Sequence, residues 1–360
     1  MPDFADKLTF LQRSEAYGDA AQRPQCIETH MSWVFLVGDR VYKLKKPVRF
    51  PFLDFTTLKA REFYCREEVR LNRRLAPGVY LGLMALQWHD GVFELLPETE
   101  ARLQTPANSP GDTVDWLVCM RRLPGDRMLD QLITQGRVAP EDIDALVAVL
   151  ATFYRSAPVM ALSPDDYLAR FQYEQAANRE VLLRPQFQLP DAALAIDRLD
   201  LALAQGAGLL RERACGQRVL DGHGDLRPEH VCLLQPPVVI DCLEFNPQLR
   251  QADPFDELAY LGMECEVAGA PWIGQRLASG CAAALGDAPP PALMHLYTAY
   301  RALVRARLAM AHLLDPVPRL PDQWPPRAGR YIAGAMAALD ALAGPAGRAP
   351  VIAAMPHGSR

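Results

Sequence analysis

Two aspartates separated by one short hairpin are the residues of this sequence best suited to chemistry. His223-Gly224-Asp225 sets a carboxylate on a tight loop, and the apolar run Val238-Val239-Ile240 closes on Asp241. A loop carboxylate suits a general base that takes the proton of an attacking hydroxyl. An acidic residue ending an apolar strand is costly unless it is paired or meets a cation. Hard divalent cations bridge one or two carboxylates to substrate phosphates. A base and a metal ligand at this spacing suit phosphoryl transfer, where positioning and charge neutralisation are the main contributions. The structural alternatives are a turn aspartate at 225 and a salt-bridged or helix-capping aspartate at 241.

Upstream, Val41-Tyr42-Lys43-Leu44-Lys45 reads as a strand. Side chains alternate along a strand, so Val41, Lys43 and Lys45 share a face. A helix fits 56–75, capped by Thr56 or Thr57, with Glu68 on the face of Tyr64, Leu71 and Leu75. Glu68 is thereby the carboxylate expected to meet a lysine, with Glu67 and Glu62 as alternatives. The arginines at 61, 66, 70, 73 and 74 leave open a solvated charge network instead.

The elements around these residues change character along the chain. Runs at 32–37 and 40–45 flank Gly38-Asp39, a hairpin turn signal, and strands are predicted at 79–87, 91–96 and 114–120. A helical lead-in is expected over 3–25, and a loop over 98–113, rich in Pro, Thr, Asn, Ser and Gly. Beyond Leu123-Pro124-Gly125 the periodicity predicts helices at 126–135, 140–156, 164–184, 189–215, 253–267, 271–285, 290–314 and 326–343, with short strands only at 231–234 and 238–242. The expected fold is α+β and bilobal: a β-rich lobe over 1–122 with one long helix, then a mainly helical lobe over 123–360.

The stretch HGDLRPEHVCLLQPPVVIDCLEFNPQLRQADPFDELAYL resembles the aminoglycoside phosphotransferase branch of the protein-kinase-like fold. The likeness extends from Glu28-Thr29-His30 to about residue 310. It resembles in particular a subgroup of uncharacterised phosphotransferase-like proteins reading ID-x-x-EFN…R…D…ELA, in some of which a P-loop kinase domain follows. The resemblance implies an ATP-dependent phosphotransferase acting on a hydroxylated small molecule, with Asp225 as base and Asp241 as a Mg2+ ligand. Lys43 takes the place of the lysine that meets the nucleotide's α- and β-phosphates, with Lys45 as a rival and Glu68 as its partner. The strand-to-hinge passage offers backbone groups to adenine, which marks Cys119, Met120 and Arg121. Two departures matter. After HGD and four intervening residues the sequence holds His230 where the family has a metal-binding Asn. A nitrogen ligand suits Mn2+ better than Mg2+; otherwise Glu229 substitutes, only one metal is held, or His230 is structural. No glycine-rich loop precedes Lys43; in its place Thr29, His30 and Ser32 offer side-chain donors to phosphate oxygens, or simply build the turn. A nucleotide-binding pseudokinase or regulator without transfer activity is the alternative function, and ATP against GTP stays open.

A net charge of −5 on 360 residues argues against a general affinity for nucleic acid or an anionic membrane. No GxxxxGK[ST] stretch occurs, which excludes a P-loop fold. The N-terminus lacks a secretory pattern and no apolar run reaches the ~18–20 residues of a spanning helix. The eight singly scattered cysteines read as buried free thiols of a cytoplasmic protein.

Overall fold

The computed structural model describes residues 2–18, 22–50, 53–99, 113–316 and 318–344. The described residues group into two compact units, one drawn from Met1–Pro158 and Asp221–Ala252, the other from Val159–Leu220 and Asp253–Arg360.

The first unit is built on a six-stranded antiparallel sheet, in the order β1-β2-β3-β6-β4-β5. Its strands are β1 Gln25–Glu28, β2 Ser32–Val37, β3 Arg40–Lys45, β4 Tyr80–His89, β5 Val92–Pro97 and β6 Thr113–Arg121. The hairpin at Gly38-Asp39 forms as its turn signal predicts, with Gly38 in the left-handed region at φ 54°. Alternation then divides β3 between two faces. Leu44 and Tyr42 join Phe35, Val37, Leu86, Val114 and Leu117 under helix α1, Phe4–Leu11. The opposite face, on which Lys43 and Lys45 lie, packs Leu83, Ala85, Trp116 and Val118 against Cys65 and Val69 of helix α2, Leu58–Asn72. Thr57 caps α2, its hydroxyl accepting the Ala60 N–H at 3.1 Å.

One fully buried carboxylate ties both helices to the central strand. Asp115 on β6 accepts Arg61 Nε and Nη2 of α2 at 2.8 and 2.9 Å and Lys7 Nζ of α1 at 2.9 Å. After the sheet come α3 Leu129–Thr134, α4 Pro140–Ser156 and a small hairpin of β7 Val231–Cys232 with β8 Val238–Val239. The helix expected over 126–135 breaks at Met128, whose extended backbone bridges to Cys232.

The second unit is helical: α5 Pro164–Leu182, α6 Ala192–Cys215, α7 Pro254–Val267, α8 Pro271–Leu285, α9 Pro291–Ala311 and α10 Trp324–Ala343. α6 starts three residues later than its periodicity suggests, because Asp191 turns left-handed at φ 58°. α7 is buried from Pro254 to Cys265, so its acids need partners. Asp253 pairs with Arg213, Asp256 with Arg301 and Glu264 with Arg305. α7 crosses α8 where Gly262 meets Gly274; a Cβ on either would lie 2.9 Å from the other's Cα. All eight cysteines are free; Cys215 is exposed and Cys26 half-buried, against the expectation that all are core thiols. The loop expected over 98–113 lies, but for its ends, outside the described residues. Among the described residues no helix is long and apolar enough to cross a membrane.

Replacing Asp115 with Ala would strand two buried cations. Removing one partner of a buried ion pair costs about 3–5 kcal/mol, so Asp115→Ala is expected to lose that much unfolding free energy in urea titrations. A loss below ~1 kcal/mol would mean that Lys7 and Arg61 rehydrate freely.

Candidate functional site

The residues singled out from the sequence gather in the first unit, where the β7–β8 hairpin sets two loops side by side. Gly224 takes φ 87°, and a Cβ there would stand 3.1 Å from Leu249 O and from side-chain atoms of Arg250 and Leu243. Only glycine fits that turn without displacing its neighbours. His223 is completely buried behind it. Its Nε2 lies 2.9 Å from Ile240 O and its Nδ1 accepts the Asp225 N–H at 3.2 Å. A carbonyl can only accept, so Nε2 carries the proton and the ring is neutral.

Asp241 adopts φ 61°, left-handed for a residue with a side chain. Its N–H donates to Tyr80 Oη at 3.2 Å, and the following Cys242 N–H donates to Asn72 Oδ1 of α2 at 2.9 Å. Strand β4 and helix α2 thus hold the backbone of this loop, while the Asp241 side chain remains about half exposed, at 46%.

Lys43 Nζ reaches Asp241 Oδ1 at 3.0 Å and Glu68 Oε1 at 2.9 Å. Lys45 Nζ meets the other oxygen of Glu68 at 2.6 Å and also pairs with Glu244 Oε1. Of the three acids considered on α2, Glu68 is the one brought to the lysines; Glu62 pairs with Arg66 and Glu67 with Arg70. Lys43 holds the Asp241 carboxyl far below the usual carboxylate range, against the opposing effect of burial. Burial works against the charge of Lys43, yet Asp241, Glu68 and Glu244 raise its pKa well above that of a free lysine. Burial raises the pKa of Glu68, but Lys43 and Lys45 outweigh it and pull the group down.

His230 lies between the two aspartates. Its Nδ1 donates to Asp225 O at 2.8 Å, which leaves the lone pair on Nε2. That Nε2 faces Asp241 Oδ2 at 3.6 Å and Arg227 Nη2 at 3.3 Å. Arg227 also places Nε 3.0 Å from Asp225 Oδ1 and Nη1 2.8 Å from Glu229 Oε1. The sequence reading passed over Arg227, although its place between Asp225 and His230 was a usable signal.

The remaining sequence-marked residues lie in the sheet. Ser32 is buried at the start of β2, opposite Lys45 in register. The turn before it is closed by the Thr29 hydroxyl, which donates to Ser32 O at 3.0 Å and accepts the Ser32 N–H at 2.9 Å. Met120 is paired between Val41 and Tyr80, and the Arg121 N–H donates to Val79 O at 2.8 Å.

The donor set suits a divalent cation. Two ammonium groups, Lys43 and Lys45, face three carboxylates, Asp241, Glu68 and Glu244. Lys43 meets Asp241 Oδ1, which leaves Asp241 Oδ2 beside His230 Nε2 at 3.6 Å. A shallow, open depression is lined by Gly125, Asp126, Met128, Asp130, Gln131, Gln135 and Glu229.

No family model matches the chain. An uncharacterised protein of Mycobacterium tuberculosis strain H37Rv is 31% identical over 296 residues, covering 78% of this chain and 53% of that protein. An uncharacterised protein of Mycobacterium bovis matches with the same values. The chain therefore spans about half the length of the curated relatives it matches. Among solved structures, the choline kinase of Cryptosporidium parvum aligns with a TM-score of 0.55 at 10% identity, over 93% of this chain and 95% of that one. A choline/ethanolamine kinase family protein of Mesorhizobium loti aligns at 0.54 and 14%, over 93% and 94%. A thermostable aminoglycoside phosphotransferase mutant, in ternary complex with AMP-PNP and hygromycin B, aligns at 0.51 and 13%, over 93% and 98%. At such identities the likeness is one of fold. The fold is the bilobal protein-kinase-like one of choline kinases and aminoglycoside phosphotransferases, as the sequence resemblance implies.

His223 gives the site a pH signature. Burial first, then the neighbouring His230, pushes its pKa down to about 4. The folded value lies below the unfolded one of about 6.5, so its contribution is complete above pH ~6.5 and is lost as the pH falls toward 4. Between pH 7 and pH 5 this amounts to about 2 kcal/mol. Urea titrations at both values are expected to show that loss in the unmodified protein and a shallower one in His223→Gln. Equal losses in the two proteins would rule His223 out as the source.

Proposed function

We propose that the chain is an ATP-dependent phosphotransferase that moves a phosphoryl group to a hydroxyl of a small molecule. The observation that carries this reading is the convergence of Asp225, His230, Asp241 and the Lys43–Glu68 pair within one unit of a protein-kinase-like fold. In this reading residues 1–122 form the nucleotide-binding lobe and 123–360 the catalytic and substrate lobe, in a cytoplasmic protein.

Asp225 orients the acceptor hydroxyl and takes its proton. Lys43, at 17% exposure, is the lysine that reaches nucleotide phosphates; Lys45, at 1%, is enclosed. Glu68 keeps Lys43 extended. Met120 and Arg121 would offer backbone groups to adenine, with the Arg121 N–H itself donated to Val79 O. Ser32 reaches a phosphate only if the β1–β2 turn shifts, since its side chain is buried. Asp241 and His230 would hold Mg2+ or Mn2+, which when bound would neutralise phosphate charge. The shallow depression beside Glu229 is lined by Asp126, Asp130 and Glu229, acids that would favour an acceptor carrying an amine.

A nucleotide-binding regulator without transfer activity is the second reading. It is favoured by Arg227, whose guanidinium lies on both the base Asp225 and the His230 lone pair.

ATP with Mg2+ or Mn2+ is expected to raise the melting temperature, because a ligand that binds only the folded state stabilises it. Asp241→Ala should remove the metal-dependent part of that shift, and His230→Asn should narrow the gap between Mn2+ and Mg2+. If ATP produces no shift with any divalent cation, the nucleotide-binding reading goes.

Asp225→Asn is expected to retain nucleotide affinity while lowering turnover by about 10²–10⁴, measured with hydroxylated amines as trial acceptors. Loss of both in parallel would reduce Asp225 to a structural loop residue. Nucleotide binding without transfer to any acceptor, unaltered by the substitution, would favour the regulator.

A further inference from the structure

Lys45 and Glu244 have no role in the chemistry proposed above, yet they are buried as a pair in the same cluster. Lys45 is 1% exposed and Glu244 7%, and the Lys45 ammonium also stands 5.0 Å above the Phe55 ring. Enclosed charges are tolerated when each has a partner, and here the partners form a sequence. Asp241 pairs with Lys43, Lys43 with Glu68, Glu68 with Lys45, and Lys45 with Glu244. Its two ends, Asp241 and Glu244, are three residues apart on one loop, so the ion pairs form a closed circuit through β3 and α2.

The two halves of this circuit are not equivalent. Asp241 is half exposed and Lys43 partly so, and both have a second claimant in a nucleotide carrying a divalent cation. When they turn to it, the loop loses the ionic hold at Asp241. Glu244 faces inward, and nothing arriving from solvent competes for Lys45. The same ammonium holds Glu68 Oε2, so Glu68 stays in place while Lys43 exchanges partners.

We propose that the Lys45–Glu244 pair is a fixed anchor that presets the loop bearing Asp241, which makes Lys45 and Glu244 positioning residues for metal binding and not nucleotide ligands. The inference rests on the phosphotransferase reading for the role of Asp241. Partners behind a metal ligand set its affinity by fixing its orientation.

The test separates metal-dependent from metal-free binding of ADP. In the unmodified protein Mn2+ should strengthen ADP binding relative to ADP in EDTA. In Glu244→Gln, where Lys45 remains paired with Glu68, ADP affinity in EDTA should change by no more than about twofold, while the gain from Mn2+ falls by about 10- to 100-fold. The electron paramagnetic resonance signal of bound Mn2+ should weaken in parallel. A second variant, Lys45→Met with Glu244→Met, removes both charges together, a change that buried pairs often tolerate, and should show the same selective loss. An unaltered Mn2+ gain in either folded variant overturns the anchor, as does an equal loss with and without metal. Failure of both variants to fold also overturns it, because the pair would then serve the fold alone. If the unmodified protein shows no Mn2+ gain, the phosphotransferase reading itself fails and takes the anchor with it.

Discussion

Glu68 holds Lys43 on one carboxylate oxygen and Lys45 on the other. Such an arrangement needs a helix and a strand at fixed separation, since both ammonium groups project from β3 and the acid from α2. It also needs the alternation of β3 to put the two lysines on the same face, with Leu44 between them committed to the opposite core. The Asp115 clamp, which locks α2 and α1 to the central strand, fulfils the first condition. Removing water from Glu68 is tolerable only because two cations replace it. The electrostatics of the Asp241 loop follow from this shared carboxylate.

Much of this was legible in the sequence because it depends on local periodicity. The β2–β3 hairpin follows from alternation around Gly38-Asp39, and Glu68 was identified from the face it shares with Tyr64, Leu71 and Leu75. Asp241 stood out because an acid ending an apolar strand needs a reason. Partnerships between distant residues were hidden. Nothing local joins Lys45 to Glu244, 199 residues away, or Lys7 to Asp115, 108 away. Asn72 and Tyr80 could not be recognised as supports of the Asp241 loop, since each acts through a backbone N–H that only the folded chain presents. The break at Met128 depends on its bridge to Cys232, which no helical periodicity records.

His230 shows how a residue type and its setting answer different questions. The sequence places an imidazole where the family it resembles has an amide. The fold fixes its tautomer, because Asp225 O takes the Nδ1 proton and turns the lone pair toward Asp241. Arg227 then sits against that lone pair, so the loop already contains a cation at the position where a metal would compete. Neighbouring residues in the sequence thus supply both the ligand and its competitor.

The contact between Gly262 and Gly274 couples the side-chain size that two helices can accept. Neither position accepts a methyl group until the backbones of α7 and α8 draw apart. α7 cannot move freely, because Asp253, Asp256 and Glu264 along it are each held by an arginine from α6 or α9. A larger side chain at either glycine would have to displace those ion pairs as well. The two glycines and the three acid–arginine pairs therefore act as one mechanical unit.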